Sequence, residues 1–111
     1  MLFFEKNIID EKQKTYGFNA LENGEKIGSC SMKIEQDAEI FSLSFQKDKP
    51  YAVEGLIKSA LNSATFDSVY MAKCKQEDIA VFLRAMKFEK VGDFYQSDIP
   101  TVLMGNCGCH G

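Results

Sequence analysis

The chain has 111 residues, 45% of them apolar, with 13 basic and 16 acidic side chains giving a formal charge of −3. That length suits one folded domain, and that composition excludes a disordered segment. A mildly acidic charge spread along the chain provides no basic field for nucleic acid or anionic lipid. The opening Met1-Leu2-Phe3-Phe4-Glu5-Lys6 lacks a basic leader region and a sustained apolar one, and no later stretch reaches the roughly 20 apolar residues of a membrane span. These features predict a cytoplasmic protein with no membrane or nucleic-acid partner, folded over residues 1–105 and ending in a short Cys/His tail, 106–111.

Leu2, Phe3 and Phe4 begin a short strand, and the charged residues 7–14 read as its connection. Tyr16, Phe18 and Ala20 then alternate with Gly17, Asn19 and Leu21 up to Glu22-Asn23-Gly24-Glu25. Asn-Gly predicts a type I′ hairpin, because both residues accept positive φ. The returning strand carries Cys30, Met32 and Ile34 on one face and Ser29, Ser31 and Lys33 on the other. After the break at Gln36-Asp37-Ala38, residues 40–45 predict a further strand with Phe41, Leu43 and Phe45 facing one way.

From Pro50 the period changes. Leu56, Ile57, Ala60, Leu61 and Ala64 predict a helix to about Ser63, with Asp48 as its N-cap and Pro50 in its first turn. Residues 67–73 are rich in strand formers, and residues 76–87 place Ile79, Phe82, Leu83 and Met86 at amphipathic helical spacing. Residues 88–96 and 101–104 predict two closing strands around Ser97-Asp98-Ile99-Pro100. Strands joined through the first helix should pair in parallel. The expected architecture is an α/β (α+β) fold with a mixed, mainly antiparallel sheet and two main helices, ordered β-β-β-β-α-β-α-β-β.

That order resembles the GNAT superfamily of N-acetyltransferases from its second strand onwards. Residues 41–45 followed by Gln46-Lys47-Asp48-Lys49-Pro50 resemble the central strand and the pyrophosphate-binding turn. Gly55-Leu56-Ile57-Lys58-Ser59-Ala60-Leu61 resembles the helix after it, and residues 80–92 resemble the later helix and strand. The resemblance implies an acyl-CoA cofactor whose pantetheine arm pairs with the strand ending at Phe45, with acyl transfer to an amine. Its binding residues would be Leu43, Phe45, Lys47, Lys49, Tyr51 and Val53. A helix start before Tyr51 suits a diphosphate, and Lys47 and Lys49 would add positive charge.

The family's Arg/Gln-x-x-Gly-x-Gly/Ala turn aligns with Val53-Glu54-Gly55-Leu56-Ile57-Lys58, where neither glycine is matched. Its general-acid tyrosine aligns with Leu83, beside Phe82, so water or the substitute acid Tyr95 would manage protons. Only residues 7–14 are available for the two helices that the family places between its first two strands, which implies reduced N-terminal helices.

Two further functions remain open on the residues alone. One is a non-catalytic GNAT-like module that self-associates, for example as a homodimer through an edge strand, or binds a partner. The other uses the terminal Cys107, Cys109 and His110, soft ligands suited to zinc or copper(I), or a Cys-x-Cys redox pair. Three such ligands leave a tetrahedral site incomplete unless water, Cys74 or a second chain supplies the fourth. Cys30 and Cys74 themselves read as reduced core residues, and Glu35, Asp37 and Glu39 read as a solvated acidic hairpin.

Overall fold

The computed structural model describes residues 1–105. In chain order it contains β1 (Leu2–Asp10), β2 (Thr15–Glu22), β3 (Glu25–Ile34), β4 (Ala38–Phe45), α1 (Tyr51–Thr65), β5 (Met71–Cys74), a 3-10 turn (Glu77–Ile79), α2 (Ala80–Ala85), β6 (Glu89–Val91), β7 (Phe94–Asp98) and α3 (Ile99–Gly105). The seven strands form one sheet in the order β1-β2-β3-β4-β5-β7-β6. β4 and β5 pair in parallel across the α1 crossover, and every other neighbouring pair is antiparallel.

The β2–β3 hairpin forms where Asn-Gly predicts it. Asn23 and Gly24 have φ of 53° and 86°, and Glu22 pairs with Glu25 across the two-residue turn. α1 begins at Tyr51, and Asp48 does not cap it: the Ala52 and Val53 N–H groups donate instead to the Lys49 and Pro50 carbonyls, both at 3.1 Å. Its Ala52, Val53, Leu56, Ile57, Ala60 and Leu61 are wholly buried against the sheet. Gly55 lies under the Phe4 ring of β1, where an added Cβ would stand 2.0 Å from Phe4 Cζ. Glycine is disfavoured inside a helix, but here the ring leaves no room for a side chain.

β1 continues to Asp10, well past Phe4. An edge strand needs only backbone pairing, and β2 supplies it from Glu22 back to Thr15, so the charged residues of β1 simply face solvent. Phe41 does not share a face with Leu43 and Phe45. Ser31 pairs with Ser42 but Met32 pairs with Ile40, so Phe41 is an extra, bulged residue, 49% exposed, and both Ile40 and Leu43 face the core. The β5 run starts at Met71, not Asp67, and the helix expected over residues 76–87 is a 3-10 turn followed by six α-helical residues.

The strand expected over residues 101–104 is instead α3. Asp98 Oδ2 accepts the Thr101 N–H at 2.9 Å, an N-cap bond, and Pro100 sits in the first turn, where its missing N–H costs nothing. The last strand pairing therefore closes earlier, in a β6–β7 hairpin with Gly92 at φ 65°.

Candidate ligand-binding site

Parallel pairing between β4 and β5 is confined to Ala38↔Ala72 and Glu39↔Lys73. Past the Phe41 bulge the strands part, and β4 runs on to Phe45 without a ladder partner on that side. A cleft of about 280 Å³ opens there, lined by Leu43, Ser44, Phe45, Lys47 and Asp78. Phe82 of α2 meets Phe45 edge-on, with ring centroids 5.8 Å apart and planes at 78°. A groove of about 200 Å³ adjoins the cleft through Ser44 and Phe45 and reaches Lys26 and Gly28. Of the residues singled out in the sequence, Leu43, Phe45 and Lys47 converge on this cleft.

Gln76 also reaches into the gap. Leu43 N–H donates to Gln76 Oε1 at 2.9 Å, and Gln76 Nε2 donates to the Leu43 carbonyl at 2.7 Å. The side-chain amide thereby makes both bonds that a neighbouring strand would make. No periodic pattern marks Gln76; only its tertiary position reveals it.

Lys49 and Tyr51 turn elsewhere, towards Glu22 at the end of β2. Lys49 Nζ lies 2.6 Å from Glu22 Oε1, and the Tyr51 hydroxyl donates to the same carboxylate at 2.8 Å. The hydrogen bond from Lys49, followed by that from Tyr51, holds the Glu22 carboxyl below its ordinary range, while Glu22 raises both Lys49 and Tyr51. A carboxylate of the chain itself thus sits among the groups expected to meet an anion at the start of α1. Glu22, like Gln76, carries no local sequence signal.

Val53 is wholly buried in the core, and the stretch from Val53 to Lys58 is helix body, where Glu54 pairs with Lys58 at 2.9 Å. The turn that precedes the helix is residues 46–50. Leu83, aligned with the usual proton donor, is also fully buried.

Tyr95 is 1% exposed on β7, and its hydroxyl donates to Glu77 at 3.1 Å and accepts from Arg84 Nη2 at 3.3 Å. Lys90 pairs with the same Glu77, and these contacts, Lys90 first, hold the Glu77 carboxyl below its ordinary range. Tyr95 does not line the β4–β5 cleft.

Cys30 and Cys74 are buried free thiols, as the sequence suggests. Burial, with a smaller contribution from Cys74, pushes the Cys30 thiol up to about 12, which keeps it protonated and unreactive. Among the described residues no group of three or more His, Cys, Asp or Glu side chains is placed to hold a metal ion. Cys107, Cys109 and His110 lie outside the described residues. No helix among the described residues is long and apolar enough to cross a membrane.

No family model and no curated protein sequence matches the chain. Solved structures do match. A GNAT-family protein from Desulfovibrio desulfuricans superposes with a TM-score of 0.74 at 6% identity, covering 89% of this chain and 99% of that one. The chain has the GNAT fold. The ribosomal-protein-S18-alanine N-acetyltransferase of Escherichia coli is also similar, with a TM-score of 0.66 at 9% identity over 78% of this chain and 70% of that one. So is the PaiA N-acetyltransferase of Thermoplasma acidophilum in complex with coenzyme A, with a TM-score of 0.62 at 14% identity over 79% and 63%. In this GNAT fold the N-terminal helices are reduced, as the short stretch 7–14 implies: β1 and β2 are joined directly by residues 11–14.

Proposed function

We propose that the protein binds an acyl-CoA in the cleft between β4 and β5 and transfers the acyl group to an amine. The observation that carries this reading is the parting of β4 from β5 after Glu39, which leaves the Leu43 N–H and carbonyl without a strand partner, met only by the Gln76 side-chain amide. An extended chain of amides is the ligand that such an edge accommodates. Lys47, on the cleft wall, supplies charge for a diphosphate. Similarity to a GNAT protein crystallised with coenzyme A supports the same ligand.

An acyl-CoA supplies an activated thioester; the amine forms the new C–N bond as the C–S bond breaks, and the amine's proton passes to solvent or a basic group. The chain contributes mainly proximity, since Leu43 and Phe45 fix the approach of the two reactants. Leu83 and Phe82 offer no proton. Tyr95, the acid expected from the sequence, is buried outside the cleft with its hydroxyl held by Glu77 and Arg84, so water carries the proton in this reading.

Calorimetry with acetyl-CoA and release of free CoA thiol in the presence of a panel of amines test the reading. Saturable binding at micromolar to millimolar cofactor is expected, and its absence at millimolar concentration rejects the proposal.

Burial of Leu83 and the Glu22 carboxylate among Lys49 and Tyr51 favour a second reading, a GNAT-fold module without catalysis. In that reading the nine-residue edge strand β1 pairs with a second copy. Binding of acetyl-CoA without turnover, together with a dimer mass in light scattering, distinguishes it from the enzyme.

A further inference from the structure

Gln76 follows β5 by two residues, and its side-chain amide spans the gap to Leu43 with one bond accepted at 2.9 Å and one donated at 2.7 Å. These are the two backbone groups of β4 that an extended amide-bearing ligand would use. We propose that Gln76 is a built-in competitor for that edge: an autoinhibitory clamp that must swing away before a ligand pairs with Leu43. The identity of the ligand rests on the acyl-CoA reading; the clamp rests on the two bonds.

The clamp can open without unfolding its surroundings. Gln76 is only half-buried, while Ile79 in the following turn is wholly buried and anchors the backbone behind it. Opening leaves the Leu43 N–H and carbonyl without their partner, which is costly unless the incoming group replaces both bonds. A secondary amide with donor and acceptor suitably placed does so. A ligand that offers only apolar surface or a phosphate does not. Gln76 would therefore lower the apparent affinity of every ligand that needs the β4 edge, by the fraction of molecules with the clamp open. It would also favour ligands with an amide arm over those without one.

The test uses the full chain, its Gln76→Ala variant and its Gln76→Glu variant, which keeps the length but sets a carboxylate against the Leu43 carbonyl. Binding of acetyl-CoA and of adenosine 3′,5′-bisphosphate, the nucleotide part without amides, is measured by calorimetry. Hydrogen exchange at the Leu43 amide is followed without ligand. Gln76→Ala, which loses both bonds of the closed state, is expected to bind acetyl-CoA about tenfold more tightly. Gln76→Glu, which loses the bond donated to the Leu43 carbonyl but keeps an acceptor for the Leu43 N–H, is expected to gain less. Adenosine bisphosphate binding should stay unchanged, and Leu43 should lose protection in Gln76→Ala. Equal or weaker acetyl-CoA binding by the variants, or unchanged Leu43 protection, overturns the clamp and leaves the acyl-CoA reading standing. Binding by the variants alone supports both. No binding by any of the three proteins sinks the acyl-CoA reading and the proposed competition with it.

Discussion

The two faces of the β1–β4 sheet are built from the same strands and meet opposite fates. One face presents Phe18, Ala20, Cys30, Met32, Ile40 and Leu43, all buried, and α1 lies across it. The other presents Ser29, Ser31, Ser42 and Ser44, which pair across β3 and β4, with the Ser29 and Ser44 hydroxyls 3.3 Å apart. These serines are exposed or half-buried. A strand places alternate side chains on opposite faces, so the contrast is written residue by residue. Small hydroxyls satisfied by solvent need no cover, and the direct β1–β2 connection through residues 11–14 adds no helix to the sheet. The Phe41 bulge adds a second lesson: one unpaired residue lets Ile40 and Leu43 both reach the core while the end of β4 leaves β5.

The contrast is broken most severely from the covered side. Leu56 is wholly buried, and its Cδ1 lies 3.1 Å from the point where a Cβ on Gly28 would stand. Leu56→Ala is expected to cost about 2–5 kcal/mol in urea unfolding through lost burial and a cavity. A cost below about 1 kcal/mol would show that α1 does not seal this face. The next effect lies one residue away. Gly55→Ala forces the Phe4 ring aside and is expected to cost about 1–3 kcal/mol. In a Phe4→Ala background the same change should become stabilising by up to about 1 kcal/mol, because alanine is the better helix former. The same sign in both backgrounds would remove the ring contact as the reason for glycine.

Much of this packing is legible in the sequence because it repeats locally. The Asn23-Gly24 turn, the helical spacing from Leu56 to Ala64, and the parallel return through α1 each follow from a short window of residues. The Phe41 bulge does not, since alternation within one strand cannot report the register of its neighbour. Residues 101–104 depart from their local pattern for a different reason: they are apolar and strand-like, but Asp98 and Pro100 together form a helix start. At the site, Leu43, Phe45 and Lys47 converge because one strand and its turn carry all three. Lys49 and Tyr51 are drawn off by Glu22, 27 and 29 residues earlier, and Leu43 is bridged by Gln76, 33 residues later. Separations of that size are fixed by tertiary packing, and no local pattern records them.

α3 extends the covered layer by packing on α1, and its N-cap gives a smaller, pH-dependent effect. The Thr101 bond, from side chain and backbone together, holds the Asp98 carboxyl below its ordinary value of about 3.9. A depressed folded-state pKa contributes stability that is complete above the unfolded-state value and is lost as pH falls through the folded one. Asp98→Ala should therefore lower the melting temperature by a few degrees at neutral pH. The difference between the two proteins should shrink below about pH 4, where Asp98 begins to protonate. A gap that stays constant down to the acid transition would mean that the carboxylate does not cap α3.

The smallest effect is expected on the open face, and there its smallness is the point. Ser31 sits opposite Ser42 in the β3–β4 ladder, on the side away from α1. Ser31→Ala removes a hydroxyl that solvent can satisfy and adds no bulk, so urea unfolding should shift by no more than about 0.5 kcal/mol. Ser31→Val tests the same surface from the other direction. A β-branched side chain suits a strand but adds apolar area next to the exposed Phe41. The valine variant should keep or slightly gain stability while becoming more prone to associate at high concentration, read by light scattering. A large loss of stability in either variant would mean that the serine face is packed against something, and the two faces would then not differ as described.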